Sequence, residues 1–259
     1  MVRICGLRWY KNRALYNYDM DAKQIQFERI RNAAVRPENP VIHRRAILTT
    51  LSRIFPMHRE ARSPRPVDAF TGAPDPKVYD FAVTSRWHQV MFFNPDFRNK
   101  GTVSAWLSGD QTKGALGLDA SSSYYVYDFW DDRLVGKLSG DQQLKQELRP
   151  GEARMMSVHK VETHPQFLST NRHIMQGYMD MPGRPGWDAT SLVLSGKSDV
   201  VGGETYKVVL ATNGYTPVSA EAAEGTASIK AVRGAESLAV LSIDCPKNGA
   251  VRWKVKFAK

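Results

Sequence analysis

Cysteine is scarce: Cys5 and Cys245 are the two in 259 residues, at opposite ends of the chain. Neither has a CxxC partner or a nearby histidine, so their spacing gives neither a zinc site nor a disulfide framework. No apolar run is long enough to span a bilayer, which removes membrane helices from consideration. The opening stretch, Met1 to Arg8, lacks the sustained apolar core of a signal peptide. Either the protein is not exported or Met1 is not its natural start, and the compartment stays open. There is no Walker loop, no GxSxG, no HExxH and no GxGxxG. No cofactor and no metal is therefore expected.

Acidic residues are sparse in one place only. Residues 1 to 65 carry fourteen Lys/Arg against five Asp/Glu, a balance of +9. The other 194 residues carry 22 against 21, so the +10 of the whole chain belongs to its first quarter. A polyanion-binding arm is one explanation. The other is that the segment belongs to a larger domain whose balancing acids lie elsewhere. The second is preferred, because the arginines are interleaved with an ordinary helical pattern and form no like-charge block. Neither nucleic acid nor membrane is expected as a partner.

What is abundant is period-two alternation. In residues 124 to 130, Tyr125, Tyr127 and Phe129 alternate with Val126, Asp128 and Trp130. Asp131-Asp132-Arg133 breaks the run and Leu134 to Leu138 resumes it, which predicts a hairpin. Pro150-Gly151 gives a second turn, and Ala153 to Val161 a third strand. Further strands are expected at Trp87–Phe93 and Thr102–Leu107, and then at 191–194, 205–211, 227–232 and 238–243. Residues 250 to 257 alternate most cleanly, with Val251, Trp253, Val255 and Phe257 on one face and Arg252, Lys254 and Lys256 on the other. One helix is predicted from Val41 to Phe55, after Asn39 as cap and Pro40 at its first position. Five prolines between 56 and 78 exclude regular structure through most of that stretch, and residues 164 to 187 read as an irregular connection.

Few residues offer chemistry. His159, His164 and His173 lie close in sequence, but spacings of five and nine fit no single helix face, so hydrogen-bonded histidines are expected rather than metal ligands. Asp128, Asp131 and Asp132 read as turn formers before they read as an acid–base pair. The tryptophans at 87, 106, 130, 187 and 253 lie in or beside strands, where core packing is commoner than stacking on sugar. Asp19 and Asp21 would either end a strand, where open sheets and barrels place their sites, or cap a turn.

The strings YYVYDFWDDRLVGK, LRPGEARMMSVHKV and HPQFLSTNRHIMQGY resemble the C-terminal part of α-galactosidase-like glycoside hydrolases of the melibiase type. Asp128-Phe129-Trp130 and Leu134-Val135-Gly136 stand where that family has a D-x-W motif and L-x-G. Asn17-Tyr18-Asp19-Met20-Asp21 is similar to its N-D-P-D element, with Met20 in place of proline and Tyr18 added. The resemblance implies a mainly β fold: an antiparallel β-sandwich with a second small β unit, preceded by the helical remnant of a (β/α)8 barrel. It implies a barrel segment over 1–62, a Pro-rich linker over 63–78, the sandwich over 79–165 and the second unit over 166–259. Carbohydrate is the implied ligand, with Asp19 and Asp21 as substrate-binding residues at the rim. No catalytic residue is assigned. Retaining glycosidases need two carboxyl groups about 5 Å apart, and in this family both precede the N-D-P-D element. The chain is thus expected not to hydrolyse sugar by itself, and to need the rest of a barrel or a second chain; the alternative is a carbohydrate-binding or bracing module for a catalytic partner.

Overall fold

Alternation in the sequence becomes two stacked pairs of sheets. A computed structural model of the chain describes residues 52–54, 63–72, 75–232 and 237–259. The expected barrel strand, most of the helix, and Asp19 and Asp21 lie outside the described residues. Of the helix, Ser52 is helical and a turn follows through Ile54.

Nine strands build the first unit: β1 (Arg65–Pro66), β2 (Val78–Thr84), β3 (Trp87–Phe93), β4 (Gly101–Ser108), β5 (Ala115–Leu118), β6 (Ser123–Asp128), β7 (Arg133–Ser139), β8 (Gln143–Leu148) and β9 (Ala153–Lys160). They form a six-stranded sheet in the order β1-β2-β3-β9-β6-β7 and a three-stranded sheet in the order β5-β4-β8. Pairing is antiparallel except between β4 and β5. Val90, Phe92, Val126, Met156 and Val158 of the larger sheet pack on Val103, Ala105, Leu107, Leu144 and Leu148 of the smaller. Pro66 sits in an edge strand, where its missing N–H breaks no ladder.

Eight strands build the second unit: β10 (Gln166–Thr170), β11 (Gly186–Asp188), β12 (Val193–Val200), β13 (Thr205–Ala211), β14 (Thr216–Ala222), β15 (Thr226–Ala231), β16 (Leu238–Asp244) and β17 (Gly249–Ala258). Two four-stranded sheets, β10-β13-β16-β15 and β11-β12-β17-β14, enclose Val208, Leu210, Leu241, Ile243, Trp253 and Phe257. The fold is mainly β and antiparallel, as expected. Gln166–Thr170 was expected to be irregular; it pairs instead with β13.

The two units meet on the second face of the six-stranded sheet. Tyr125 and Tyr127 of β6 pack against Leu168, Val209 and Leu238 of the second unit. Phe81, Met91, Phe93 and Met155 are covered by Ile174 and Met175 of the connection after β10. As a result β3 is buried at every position, on both faces. No helix among the described residues is long and apolar enough to cross a membrane.

Candidate functional site

Three places at or near this seam gather side chains that can act on something outside the sandwiches. The first is a clamp on the end of the preceding helix. A helix leaves its last four carbonyls without intrahelical donors. Arg172 Nη1 donates to the Ser52 carbonyl at 2.7 Å, the Ile174 N–H to Arg53 at 2.7 Å, and His173 Nε2 to Ile54 at 3.1 Å. A carbonyl only accepts, so His173 carries its proton on Nε2, and its Nδ1 accepts from the Met175 N–H at 3.1 Å. Three successive carbonyls are thereby held by three successive residues, and Ile54 is buried. The histidine expected to be hydrogen-bonded is so. That it caps a helix more than a hundred residues away had no local signal.

Behind the clamp runs a buried chain of polar groups. The Met175 carbonyl accepts from Gln89 Nε2 at 3.0 Å, and Gln176 Nε2 donates to Gln89 Oε1 at 3.1 Å. Ser169 Oγ donates to Gln176 Oε1 at 2.9 Å. Gln89 also reaches Ser157 Oγ at 3.3 Å, as does Trp87 Nε1 at 3.0 Å. With two donors aimed at its oxygen, Ser157 gives its own proton to His159 Nε2, 2.7 Å away. A serine hydrogen-bonded to histidine is half of a nucleophilic pair. Ser157, however, has no exposed surface, so no substrate reaches it. Burial, with the Arg184 charge adding to it, pulls the His159 imidazole down to about 3, and the ring is neutral at pH 7.

The chain of polar groups surfaces in a cleft of about 90 Å³. Trp87 at the start of β3, His159 and Lys160 at the end of β9, and Gln166 and Phe167 at the start of β10 line it, together with the 184–185 segment and Leu194. Glu162 is the one carboxylate among the described residues that line it. Arg86 Nη2 holds one of its oxygens at 3.1 Å, and the other lies 3.2 Å from His164 Nε2, whose Nδ1 donates to the Pro165 carbonyl at 2.9 Å. The His164 ring stacks on Trp187, 5.6 Å between centroids and 3° from parallel. Two of the three neighbouring histidines therefore line one cleft, and the third serves the clamp. No group of three or more His, Cys, Asp or Glu able to hold a metal ion occurs among the described residues.

The aspartates of the β6–β7 hairpin do what turns require. Asp128 Oδ1 accepts from the N–H groups of Trp130 at 2.9 Å and Asp131 at 3.2 Å, and Asp132 takes a left-handed φ of 50°. Arg154 Nη1 bridges Asp128 at 3.3 Å and Asp131 at 3.0 Å. Burial pushes the Asp128 carboxyl above the usual range in spite of the arginine. These acids face a guanidinium in the protein's own structure rather than an open site.

Of the five tryptophans expected in or beside the core, Trp87 and Trp253 are buried and Trp130 and Trp187 pack partly against it. Trp106 does not: it is 46% exposed on the outer face of β4. Along that face Trp106 stands opposite Gln143, Ser104 opposite Lys145, and Thr102 opposite Glu147. The correction follows from the strand's own alternation, since Val103, Ala105 and Leu107 take the inward positions.

No family model matches the sequence, and no curated protein matches it. Among solved structures the chain is similar to the isomalto-dextranase of Arthrobacter globiformis T6 complexed with panose. The similarity covers 75% of this chain and 36% of that one, at 14% identity and a TM-score of 0.29. The chain thus spans well under half the length of that protein, and so loose a likeness leaves the functional reading to the residues themselves.

Proposed function

We propose that the chain is the C-terminal part of an α-galactosidase-like glycosidase, whose β units brace the polypeptide preceding them and do not hydrolyse sugar themselves. The division into barrel segment (1–62), linker (63–78), sandwich (79–165) and second unit (166–259) belongs to the same reading, as do Asp19 and Asp21 at the rim of the sugar site. The observation that carries it is the clamp. Arg172, His173 and the Ile174 amide satisfy three successive backbone acceptors of a helix end, of which the innermost, at Ile54, is buried. A free-standing β module has no use for such a device. Its lack of hydrolysis is supported by the cleft, where the single lining carboxylate, Glu162, is already paired with Arg86, whereas glycoside hydrolysis calls for two.

A carbohydrate-binding role for the β units is favoured by one further observation, the exposed Trp106 among Ser, Thr, Gln, Lys and Glu side chains on an open sheet face. An indole flanked by hydrogen-bonding groups offers a sugar ring a stacking surface and partners for its hydroxyls. The test is twofold. The purified chain should not turn over aryl α-galactosides, and clear turnover overturns the non-hydrolytic reading. Oligosaccharide titration should change tryptophan fluorescence in the native chain and less in Trp106→Ala; no response in either leaves the bracing role alone.

A further inference from the structure

The outer face of the three-stranded sheet carries a straight file of side chains that the rest of the fold leaves alone. Directly opposed residues of an antiparallel pair share a face. Thr102 therefore stands beside Glu147, Ser104 beside Lys145 and Trp106 beside Gln143, all on the outside. Thr102, Ser104, Trp106, Lys145 and Glu147 are exposed and Gln143 is half-buried. Among the described residues none of these six side chains takes part in a hydrogen bond or an ion pair. On the other flank β5 sets only Ala115 beside Trp106, so no bulky β5 side chain stands opposite the indole. Beyond the file β8 is an edge strand.

The dimensions and chemistry of the file narrow its occupant. From the first pair to the last it measures about 14 Å at the rise of an antiparallel strand. One sugar ring on the indole leaves two rows uncovered, whereas a chain running along the strands covers all three. Lys145 and Glu147 occupy successive rows, so the file has no net charge to draw in an acidic polymer, and such a polymer would meet Glu147. Both are hydroxyl partners: an ammonium donates and a carboxylate accepts, while Thr102, Ser104 and Gln143 do either. A protein partner calls for a broad apolar centre. Trp106 is the one large apolar side chain exposed on β4, β5 and β8, which is enough for a ring and too little for a protein.

We propose that the outer face of β4 and β8 binds an uncharged, extended oligosaccharide laid along the strands. One ring stacks on Trp106, and the rings that follow hydrogen-bond to Ser104 with Lys145 and to Thr102 with Glu147. The proposal rests on the carbohydrate reading of Trp106 and adds the shape and charge of the ligand. The file is straight, so a chain that coils leaves it soon after the indole.

The test is calorimetric titration of the full chain with cellopentaose, β-mannopentaose, maltopentaose, penta-galacturonate and the free hexoses. One or both of the extended chains, cellopentaose and β-mannopentaose, should bind about tenfold or more tightly than the matching hexose, because each further row adds hydrogen bonds. That affinity should barely change with salt, since no net charge is matched. Trp106→Ala should abolish binding. Lys145→Ala with Glu147→Ala should bring the extended chains down towards the free hexose, with the melting temperature unchanged. Extended chains no tighter than the hexose, or undiminished in the double variant, overturn the file while the carbohydrate reading of Trp106 stands. Maltopentaose binding as tightly as the extended chains overturns the shape, and tighter binding of penta-galacturonate overturns the neutrality. Binding of no probe overturns the site together with the carbohydrate reading, while the bracing role, read out at the helix end, is judged separately.

Discussion

In the β11-β12-β17-β14 sheet one face looks in and the other out, and the chain sorts itself accordingly. Val251, Trp253, Val255 and Phe257 of β17 go in, and Arg252, Lys254 and Lys256 go out. The polar groups inside are few: Trp253 Nε1 donates to Ser198 at 2.9 Å and Tyr206 to Asp180 at 2.7 Å. The six-stranded sheet of the β1–β9 unit has no outside at its centre, because the second unit and the 171–181 connection cover it. Its polar residues cannot turn to water, so Gln89, Ser157, His159 and Gln176 satisfy one another instead. One unit is held by an oily interior; the other adds a buried polar seam, where each lost partner is costly.

The comparison breaks first at Trp253. Its indole is 1% exposed and lies flat on Gly196, where even a methyl group would collide with the ring. Trp253→Ala should cost about 4–5 kcal/mol in urea unfolding. Hydrogen exchange should quicken first in β12 and β17; equal acceleration in β3 and β9 would erase the distinction between the units.

The seam should show itself in acid. His159 has a folded value of about 3 against an unfolded one of about 6.5. The unfolded chain therefore takes up the proton first, and stability present above pH 6.5 drains away as the pH falls towards 3. The loss approaches roughly 4 kcal/mol. Asp128 and Asp180, whose carboxyls burial raises, act in the opposite sense over their own range. Urea midpoints measured from pH 7 to pH 3 should thus fall less steeply in His159→Phe than in the native chain; parallel curves would remove His159 from the account.

Arg154→Met strips the guanidinium from the wholly buried Asp128 and should cost about 3 kcal/mol at pH 7. Lowering the pH should recover part of the loss as Asp128 protonates, and a pH-independent loss counts against the ion pair. Arg172→Ala should cost about 1–2 kcal/mol, since its bond to the Ser52 carbonyl is charge-assisted. Amide exchange at residues 52–54 should quicken while that of β17 holds steady, and unaltered exchange there would refute the clamp. Trp106→Ala should change stability by less than about 0.5 kcal/mol, and a larger loss would make Trp106 a structural residue.

Much of the strand set was legible where alternation was clean, as at β17, or where aromatic and β-branched residues crowd together, as at β3 and β13. It failed where the pattern was hidden. β10 reads QFLST and is buried on both faces, so it has no alternation to display. β8 reads QLKQEL, a run of helix-favouring residues with the inward Gln146 masking the period between Leu144 and Leu148. β14 is a poor strand by composition, with Pro217 on an edge. Trp106 was legible after all, since inward Val103, Ala105 and Leu107 leave it no other side. The cleft was not: Arg86, Glu162, His164 and Arg184 come from separate segments, and only the pairing of β3 with β9 and the packing of β10 beside β9 bring them together. Nothing in Arg172-His173 by itself announced a helix end.

β9 shows what the seam means for a chain still finding its partners. Met156 and Val158 point into one interior, while Met155, Ser157 and His159 point into the other. Sliding this strand by a single residue would thrust a hydroxyl and an imidazole among aliphatic groups and strand methionine and valine beside unanswered amides. Mis-threaded sheets are thus penalised twice over, and the polar face proofreads the assembly of the greasy one.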